Sequence, residues 1–220
     1  MKQVYCAIVD KIIVWGKEGV EDFRWRNPRS PYESAVAEIM LIRTPAEQAA
    51  PVYLDFLKRY PTVYDLDLAT EGDIAEVIFP LGLSWRAKKL KAMADYLVNE
   101  LKGQFPDTLG GLMEIPSIGP YTAAAIMTFY FRKRAVLVDA NTVRFFKRFF
   151  GWKPPGEARR NRELISRMDQ MTPDGQRAVL FNVSFLDFMR KVCRSRPGQP
   201  LCDECLLEAD CQHAQTEEDN

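Results

Sequence analysis

Apolar residues recur every three or four positions along most of the chain, and strict apolar–polar alternation does not persist in any segment. A period near 3.6 residues indicates α-helices rather than strands. The first helix is predicted to end near Gly16. Its apolar stripe consists of Val4, Tyr5, Ile8, Val9, Ile12 and Ile13. We therefore predict an all-α protein of about ten short helices joined by short connections.

Further helices are predicted over the ranges 32–43, 121–131, 157–169 and 174–191. The segment Thr44-Pro45-Ala46-Glu47 has the order of an N-cap, a first-turn proline and a capping-box glutamate, so we expect another helix to begin there. Arg43 then lies at a sharp break between two helices. Ser84 can cap a long helix that ends before Gly103, and Asp139 precedes a helix that runs through Phe150.

Composition limits the possible domain number, the mode of nucleic-acid binding and the cellular location of the protein. With 220 residues, 47% of them hydrophobic, the chain can form one large domain or two small ones. Lys and Arg together number 30, as do Asp and Glu, which argues against nucleic-acid binding by bulk charge but permits a local basic face. Absence of an apolar run of about 18 residues predicts no membrane span. Asp10 and Lys11 interrupt the apolar start, so no signal peptide is expected and the protein should be cytosolic.

Four basic clusters are candidates for such a local face, although each by itself is more typical of a solvated helix surface. They are Lys88/Lys89/Lys91, Arg132/Lys133/Arg134, Arg144/Lys147/Arg148 and Arg190/Lys191/Arg194/Arg196. The polar tail from His213 onward is predicted to be disordered.

Four of the five cysteines lie close together near the C-terminal end, in the order C-x8-C-x2-C-x5-C. They are Cys193, Cys202, Cys205 and Cys211. In a cytosolic protein this clustering indicates a metal site rather than disulfides. A structural zinc site usually offers two C-x2-C pairs, whereas four thiolates in one compact loop suit a 4Fe–4S cluster, with zinc or free thiols as alternatives. Cys6 lies on the apolar stripe and is predicted to be buried.

The segment Pro116-Ser117-Ile118-Gly119-Pro120 separates two apolar helical runs. Gly119 can take a positive φ or allow another backbone to approach, and Pro120 fits the first turn of a helix. Ile118 would anchor this hairpin in the core. The first N–H groups of the second helix would then face outward, where they can bind a phosphate, although an ordinary turn between two helices is the alternative.

The hairpin segment resembles that of the helix-hairpin-helix DNA glycosylases, the superfamily of endonuclease III and MutY. In this chain it reads I-P-S-I-G-P-Y-T-A-A-A, residues 115–125. A second segment resembles the catalytic aspartate loop of this superfamily; it reads V-D-A-N-T-V-R, residues 138–144. Residues 23–32 and 38–44 resemble segments of MutY and of the related thymine mismatch glycosylases. The resemblance implies a six-helix barrel domain at 28–134, an iron–sulfur cluster domain made of 1–27 and 135–220, and a DNA-binding cleft between them.

The chain departs from the family pattern at several points. Ser117 stands where the family usually has glycine, and Ile42 replaces a usual Gln or Arg. The segment after Leu83 looks one residue short. The first gap between the clustered cysteines is two residues longer than in the family's C-x6-C-x2-C-x5-C arrangement.

Base removal breaks an N-glycosidic bond through an oxocarbenium-like sugar, which a carboxylate stabilises, and the base must first be flipped from the stack. The resemblance implies that Asp139 is this carboxylate, that Glu38 hydrogen-bonds or protonates the departing base, and that Asn141 lies near the sugar. The alternatives are a helix N-cap for Asp139, an exposed helix edge for Glu38 and plain surface polarity for Asn141.

Tyr121 stands where a lysine in this superfamily would attack C1′ and lead to strand cleavage, which a phenol cannot do. It would contact the flipped nucleotide or, alternatively, pack in the core. Arg43 and Leu83 resemble positions that insert into the duplex, where an arginine can bind the orphaned base; a plain surface arginine is the alternative. The resemblance assigns the remaining DNA contacts to the hairpin residues Pro116, Ser117, Ile118, Gly119 and Thr122.

These features favour a monofunctional, monomeric DNA glycosylase that removes thymine or uracil mispaired with guanine in double-stranded DNA. A MutY-like adenine glycosylase acting opposite guanine or 8-oxoguanine is the alternative. Such enzymes usually have a further C-terminal domain and tend to carry Q-Q-T where this chain has I-R-T at 42–44. A non-catalytic helix-hairpin-helix DNA-binding module is the alternative of another class, and the presence of both Glu38 and Asp139 argues against it.

Overall fold

The computed structural model describes residues 1–153, 158–195 and 199–217. Within these ranges every regular element is helical, which confirms the all-α prediction. The α-helices are α1 (Lys2–Gly19), α2 (Pro31–Met40), α3 (Ala46–Arg59), α4 (Val63–Leu68), α5 (Glu71–Ile78), α6 (Trp85–Asn99), α7 (Leu109–Glu114), α8 (Pro120–Phe129), α9 (Ala140–Phe149), α10 (Arg162–Met171), α11 (Gln176–Lys191) and α12 (Gln212–Glu217). No helix in the described ranges combines the length and the apolar character needed to cross a membrane.

The chain forms two compact units. The central unit comprises residues 23–132, and the terminal unit comprises residues 1–22 together with 133–220. The sequence had suggested boundaries at 28 and 134. In the central unit α2 is buried along nearly its whole length and packs against α3, α6 and α8. Ser30 caps α2 by accepting a hydrogen bond from the Glu33 N–H at 3.2 Å, and Pro31 occupies its first turn, so the sequence fixes where this helix begins.

The terminal unit is built on the pairing of α1 with α11 over an aromatic core. Gly16 lies inside α1, and a Cβ there would overlap the side chain of Ser184 on α11. The predicted stop at Gly16 is therefore wrong: this glycine permits close helix packing, and α1 continues to Gly19. Cys6 is exposed, as is Val4, because both lie outside the buried stripe of α1, so the predicted burial of Cys6 is also wrong.

Three further boundary predictions need correction. The helix expected over roughly 157–169 is α10, which begins at Arg162 because the side chain of Asn161 accepts hydrogen bonds from the first-turn N–H groups. Residues 158–160 form a separate 3-10 turn, and residue 157 lies outside the described residues. The tail predicted to be disordered from His213 is helical through Glu217, and residues 218–220 lie outside the described ranges. Ser84 is the N-cap of α6 by position, but its side chain makes no capping hydrogen bond.

Candidate active site

The hairpin joins α7 to α8, and its turn is closed by the Ile118 N–H, which donates to the Ile115 carbonyl at 3.1 Å. The left-handed residue of this turn is Ser117, with φ 73°. Gly119 instead has an extended backbone, φ −89° and ψ 178°, as the N-cap of α8. Of the two roles predicted for Gly119, the positive φ is thus wrong, and the approach of another backbone stays a prediction; Ser117 has the strained conformation instead.

The start of α8 is open on its outer side. No side chain caps its first turn, and a Cβ on Gly119 would meet nothing within 4 Å. Ile118 is buried at 4% exposure, which confirms that it anchors the hairpin. Thr122 is also buried, whereas Pro116 is half-buried. The hairpin therefore presents backbone rather than side chains, an arrangement suited to a phosphate group.

Tyr121 occupies the first turn of α8, where it is half-buried. Helix α8 packs against α2, which carries Glu38 near its C-terminal end. Glu38 is only 6% exposed, between the fully buried Ala35 and Ile39, so the alternative of an exposed helix edge is wrong. Burial raises the pKa of Tyr53, and the nearby Glu38 carboxylate adds to that rise. A buried carboxylate is costly, and such groups concentrate at functional sites.

Arg43 and Leu83 lie in two separate turns of the central unit, after α2 and before α6. Both have a left-handed backbone, with φ 57° and 55°. Arg43 is exposed, and Leu83 is 37% exposed although it is apolar. Non-glycine residues in this conformation are strained and cluster at functional sites.

Thr44 does not cap α3 as predicted. The helix begins one residue later than expected, with Pro45 at the N-cap and no side-chain cap. The physical reason is that the Thr44 hydroxyl accepts a hydrogen bond from the guanidinium of Arg86 at 2.6 Å and is not available to the helix.

In the terminal unit, Asp139 is the N-cap of α9, as predicted. One carboxylate oxygen accepts the Thr142 N–H at 2.9 Å, and the Asp139 N–H donates to the Thr142 hydroxyl at 3.3 Å, which completes a capping box. The other oxygen accepts from the Asn141 amide at 2.7 Å. Both oxygens are therefore held in place, and the residue remains half-exposed.

A chain of hydrogen bonds continues from this aspartate to the cysteine loop. Arg144 donates to the Asn141 side-chain oxygen at 2.8 Å and to the Cys193 carbonyl at 2.9 Å. Arg148 donates to the Cys193 sulfur at 3.3 Å. Burial lowers the pKa of the Arg144 guanidinium. The sequence had placed both arginines in a surface cluster; their spacing of one helical turn was the signal that they share a face.

The four clustered cysteines line one pocket of about 300 Å³ that is partly open to solvent. Burial raises the pKa of the Cys205 thiol to about 11, and the charges of Cys193, Cys211 and Cys202 add to that rise. Among the described residues, no three Cys, His, Asp or Glu side chains converge on a single point. Four thiols on the lining of one pocket nevertheless form a donor set that fits an iron–sulfur cluster.

Basic residues near this loop are less available than the sequence suggested. Arg190 and Lys191 both form ion pairs with Glu21, at 3.1 and 3.0 Å. Arg196 lies outside the described residues. Arg190 also lies 3.6 Å from a carboxylate oxygen of Asp187, so both basic side chains are held in ion pairs and offer less free positive charge to a phosphate backbone than the sequence suggests.

Comparison with known proteins agrees with this arrangement. Residues 36–168 match the family model of the HhH-GPD superfamily base excision DNA repair proteins. A thymine/uracil-DNA glycosylase of Methanothermobacter thermautotrophicus is 32% identical over 208 residues, 94% of this chain and 93% of that protein. The solved structure of a thermostable thymine-DNA glycosylase matches with a TM-score of 0.85 at 30% identity, covering 96% of this chain and 97% of that one.

An adenine DNA glycosylase of Mycobacterium tuberculosis is more distant, 28% identical over 202 residues that cover 90% of this chain and 64% of that protein. The family match covers more than half of the chain, and it includes the hairpin, Glu38 and Asp139. This protein belongs to the HhH-GPD superfamily of base excision DNA repair proteins.

Proposed function

We propose that this protein is a monofunctional DNA glycosylase that removes thymine or uracil mispaired with guanine from double-stranded DNA. The observation that carries the proposal is the similarity to thymine/uracil-DNA glycosylases over nearly the full length of both chains. The presence of both the buried Glu38 and the fixed carboxylate of Asp139 argues against a chain that serves only as a binding module.

Asp139 is the group proposed to act on the sugar. When the bond between C1′ and the base breaks, the electron pair leaves with the base and positive charge develops on the sugar. The ionised carboxylate stabilises that charge and accepts the proton of the water whose oxygen bonds to C1′. The hydrogen bonds from Thr142 and Asn141 fix its orientation before the substrate arrives.

Glu38 is proposed to serve the leaving group. It is buried in the last turns of α2, and a carboxyl group fixed there can donate a hydrogen bond or a proton to the departing base. Tyr121 is proposed to contact the flipped nucleotide. Because a phenol cannot form an imine with the sugar, the enzyme should release the base and leave the strand intact.

DNA binding is assigned to the hairpin and to the two left-handed turns. The open start of α8 would bind a backbone phosphate through N–H groups, which requires no excess of positive charge. Arg43 and Leu83, exposed on their turns, would fill the space left by the flipped nucleotide and contact the orphaned guanine.

Cys193, Cys202, Cys205 and Cys211 are proposed to hold a 4Fe–4S cluster. Their shared pocket and the absence of a second C-x2-C pair in the sequence support iron–sulfur over zinc. When bound, the cluster would tie the cysteine loop to the rest of the terminal unit. Arg148 would donate a hydrogen bond to the Cys193 ligand.

A panel of duplexes tests the substrate. Each duplex contains one G·T, G·U, G·C, A·G or A·8-oxoguanine pair, and base release is measured by strand scission after hot alkali. We expect rapid cleavage for G·T and G·U, and no cleavage above background for G·C. Preferential release of adenine would favour the adenine glycosylase alternative. Binding without base release from any duplex would favour the non-catalytic module.

A further inference from the structure

Arg86, in the first turn of α6, is fully buried in the central unit. Its Nη1 donates to the carbonyls of Leu81 and Gly82 at 3.3 and 3.4 Å. Its Nη2 donates to the Ile42 carbonyl and, at 2.6 Å, to the Thr44 hydroxyl. All four acceptors are neutral, and among the described residues no carboxylate pairs with it. Because a buried cation without a counter-charge is costly, stability alone does not account for this residue.

The four acceptors border the two left-handed turns. Ile42 and Thr44 flank Arg43 on both sides, and Gly82 directly precedes Leu83. One guanidinium thus connects two turns that are about forty positions apart in the sequence. A left-handed conformation at a non-glycine residue persists only where the surrounding structure enforces it. Arg86 supplies such enforcement to both turns at once.

The side chains of Arg43 and of the apolar Leu83 are exposed, whereas the backbone of their two turns is hydrogen-bonded to the buried Arg86. Strained backbone that points side chains away from the core does nothing for packing, so the arrangement serves contacts with another molecule. The two Nη groups of the planar guanidinium serve one turn each, which the single ammonium of a lysine cannot reproduce.

We infer that Arg86 is a positioning residue that couples the two turns, so that Arg43 and Leu83 enter the duplex together when the mismatched nucleotide is flipped. This role rests on the proposed base-excision function. Arg86 itself, being fully buried, does not touch the DNA. It acts through the backbone of Ile42, Leu81 and Gly82.

The test uses the full-length protein and three variants. Arg86→Met removes the guanidinium, and Arg86→Lys keeps the charge but not the fork. Lys91→Met is the matched control on the same helix. Its ammonium is held by Asp67 and Asp95, at 3.6 and 2.6 Å, so Lys91 does not belong to a free basic face, and these two partners lie in neither turn. Excision is measured at saturating enzyme on a G·T duplex. Flipping is measured by 2-aminopurine fluorescence beside a thymidine whose 2′-fluoro sugar resists cleavage.

Arg86→Met should lower the excision rate by about 10²-fold, the loss expected when reacting groups are displaced by about 1 Å, and should abolish most of the fluorescence rise. Arg86→Lys should fall between that variant and the wild type, while Lys91→Met should behave like the wild type. In a double-mutant cycle with Leu83→Ala, the combined loss should be clearly smaller than the product of the two single losses, because both changes disable the same turn.

Wild-type excision and fluorescence in Arg86→Lys would overturn the inference, and so would fully multiplicative losses in the cycle. If Arg86→Met does not fold, Arg86→Lys and its cycle with Leu83→Ala decide the question alone. The proposed function fails in a different way: the wild-type protein would then release no base from any duplex, whereas the failure of Arg86 as a positioning residue leaves wild-type excision intact.

Discussion

The turns of the central unit and the Asp139 region of the terminal unit are built in opposite ways. Arg43, Leu83 and Ser117 have left-handed backbones, and the helix after Ser117 starts without a side-chain cap. In the Asp139 region, by contrast, side chains satisfy one another: both carboxylate oxygens of Asp139 accept hydrogen bonds, and Arg144 extends the network to the cysteine loop.

This difference suits the turns to DNA binding and the Asp139 region to the chemical step. Left-handed residues cost a chain roughly 1–2 kcal/mol each, and an uncapped helix start leaves N–H groups that a ligand can satisfy. Such features suit a surface completed by DNA. A carboxylate that must meet a developing positive charge at one atom needs a fixed position before the substrate arrives, and the network around Asp139 supplies it. Substitutions in the left-handed turns should therefore affect DNA binding and stability, whereas substitutions at Asp139 should affect the excision rate.

The largest effect is expected at the cysteine pocket. Cys202→Ser should lower the free energy of unfolding by about 4 kcal/mol or more, because loss of a ligand removes metal-linked folding energy. Iron content and the broad absorbance of a brown protein should fall with it, as measured by metal analysis and spectroscopy. Cys6→Ser is the control, since Cys6 is exposed and remote from the pocket in sequence. Zinc without iron in the wild-type protein would refute the cluster assignment.

Removal of the Asp139 charge should greatly slow base excision while the protein remains folded. Asparagine can still accept the Thr142 N–H and cap α9, but it cannot also accept from the Asn141 amide. Asp139→Asn should therefore lose only about 1 kcal/mol of stability and keep its duplex binding, while excision falls by at least about 10²-fold. Single-turnover rates on a G·T duplex measure the loss. Asp73→Asn, a change in the capping box of α5, is the control and should excise normally. Near-normal turnover in Asp139→Asn would reduce Asp139 to a helix cap.

Replacement of the strained serine should stabilise the protein. Ser117→Gly should raise the free energy of unfolding by about 0.5–1 kcal/mol, the relief of left-handed strain less the extra chain entropy of glycine. Ser84→Gly is the control: its φ is −51°, so glycine there brings only the entropic penalty. Denaturant titration distinguishes the two. A destabilised Ser117→Gly variant would mean that the Ser117 side chain makes a stabilising contact.

The smallest effect is expected at Gly119. A methyl group there meets open space, so Gly119→Ala should change the free energy of unfolding by less than about 0.5 kcal/mol. Duplex binding should weaken by about 0.5 kcal/mol, because the methyl group obstructs the approach of a phosphate to the start of α8. Isothermal titration with a mismatched duplex measures this shift, and unchanged affinity would remove the hairpin from the DNA interface.

Local patterns predicted the helices and the hairpin well, because apolar periodicity and the Asp139 cap act over a few residues. Features that depend on contacts between distant segments, such as the start of α3, could not be predicted in this way. The Thr44 hydroxyl was assigned to a helix cap, yet a buried arginine from α6 takes it. That arginine did leave a signal, since Arg86 stands on the same stripe as Leu90 and Leu97, where an apolar residue is expected.

Conformational strain was equally hidden from the sequence. The sequence permits Gly119 either a positive φ or the close approach of another backbone, and it shows Ser117 only as a departure from the family pattern, yet Ser117 has the left-handed conformation. Which residue of a five-residue turn carries the positive φ depends on how Ile115 and Ile118 are buried, which is a property of the packed core.

The central claim is that this protein releases a mispaired base and leaves the strand intact. The most direct measurement incubates the wild-type protein with a labelled G·T duplex, divides the reaction, and treats the portions with nothing, hot alkali or borohydride. Strands should stay intact without treatment, break at the thymine after alkali, and form no covalent adduct with borohydride, because Tyr121 offers no amine. Tyr121→Lys should gain some adduct. Efficient trapping by the unmodified protein, or no alkali-sensitive site, would contradict the account.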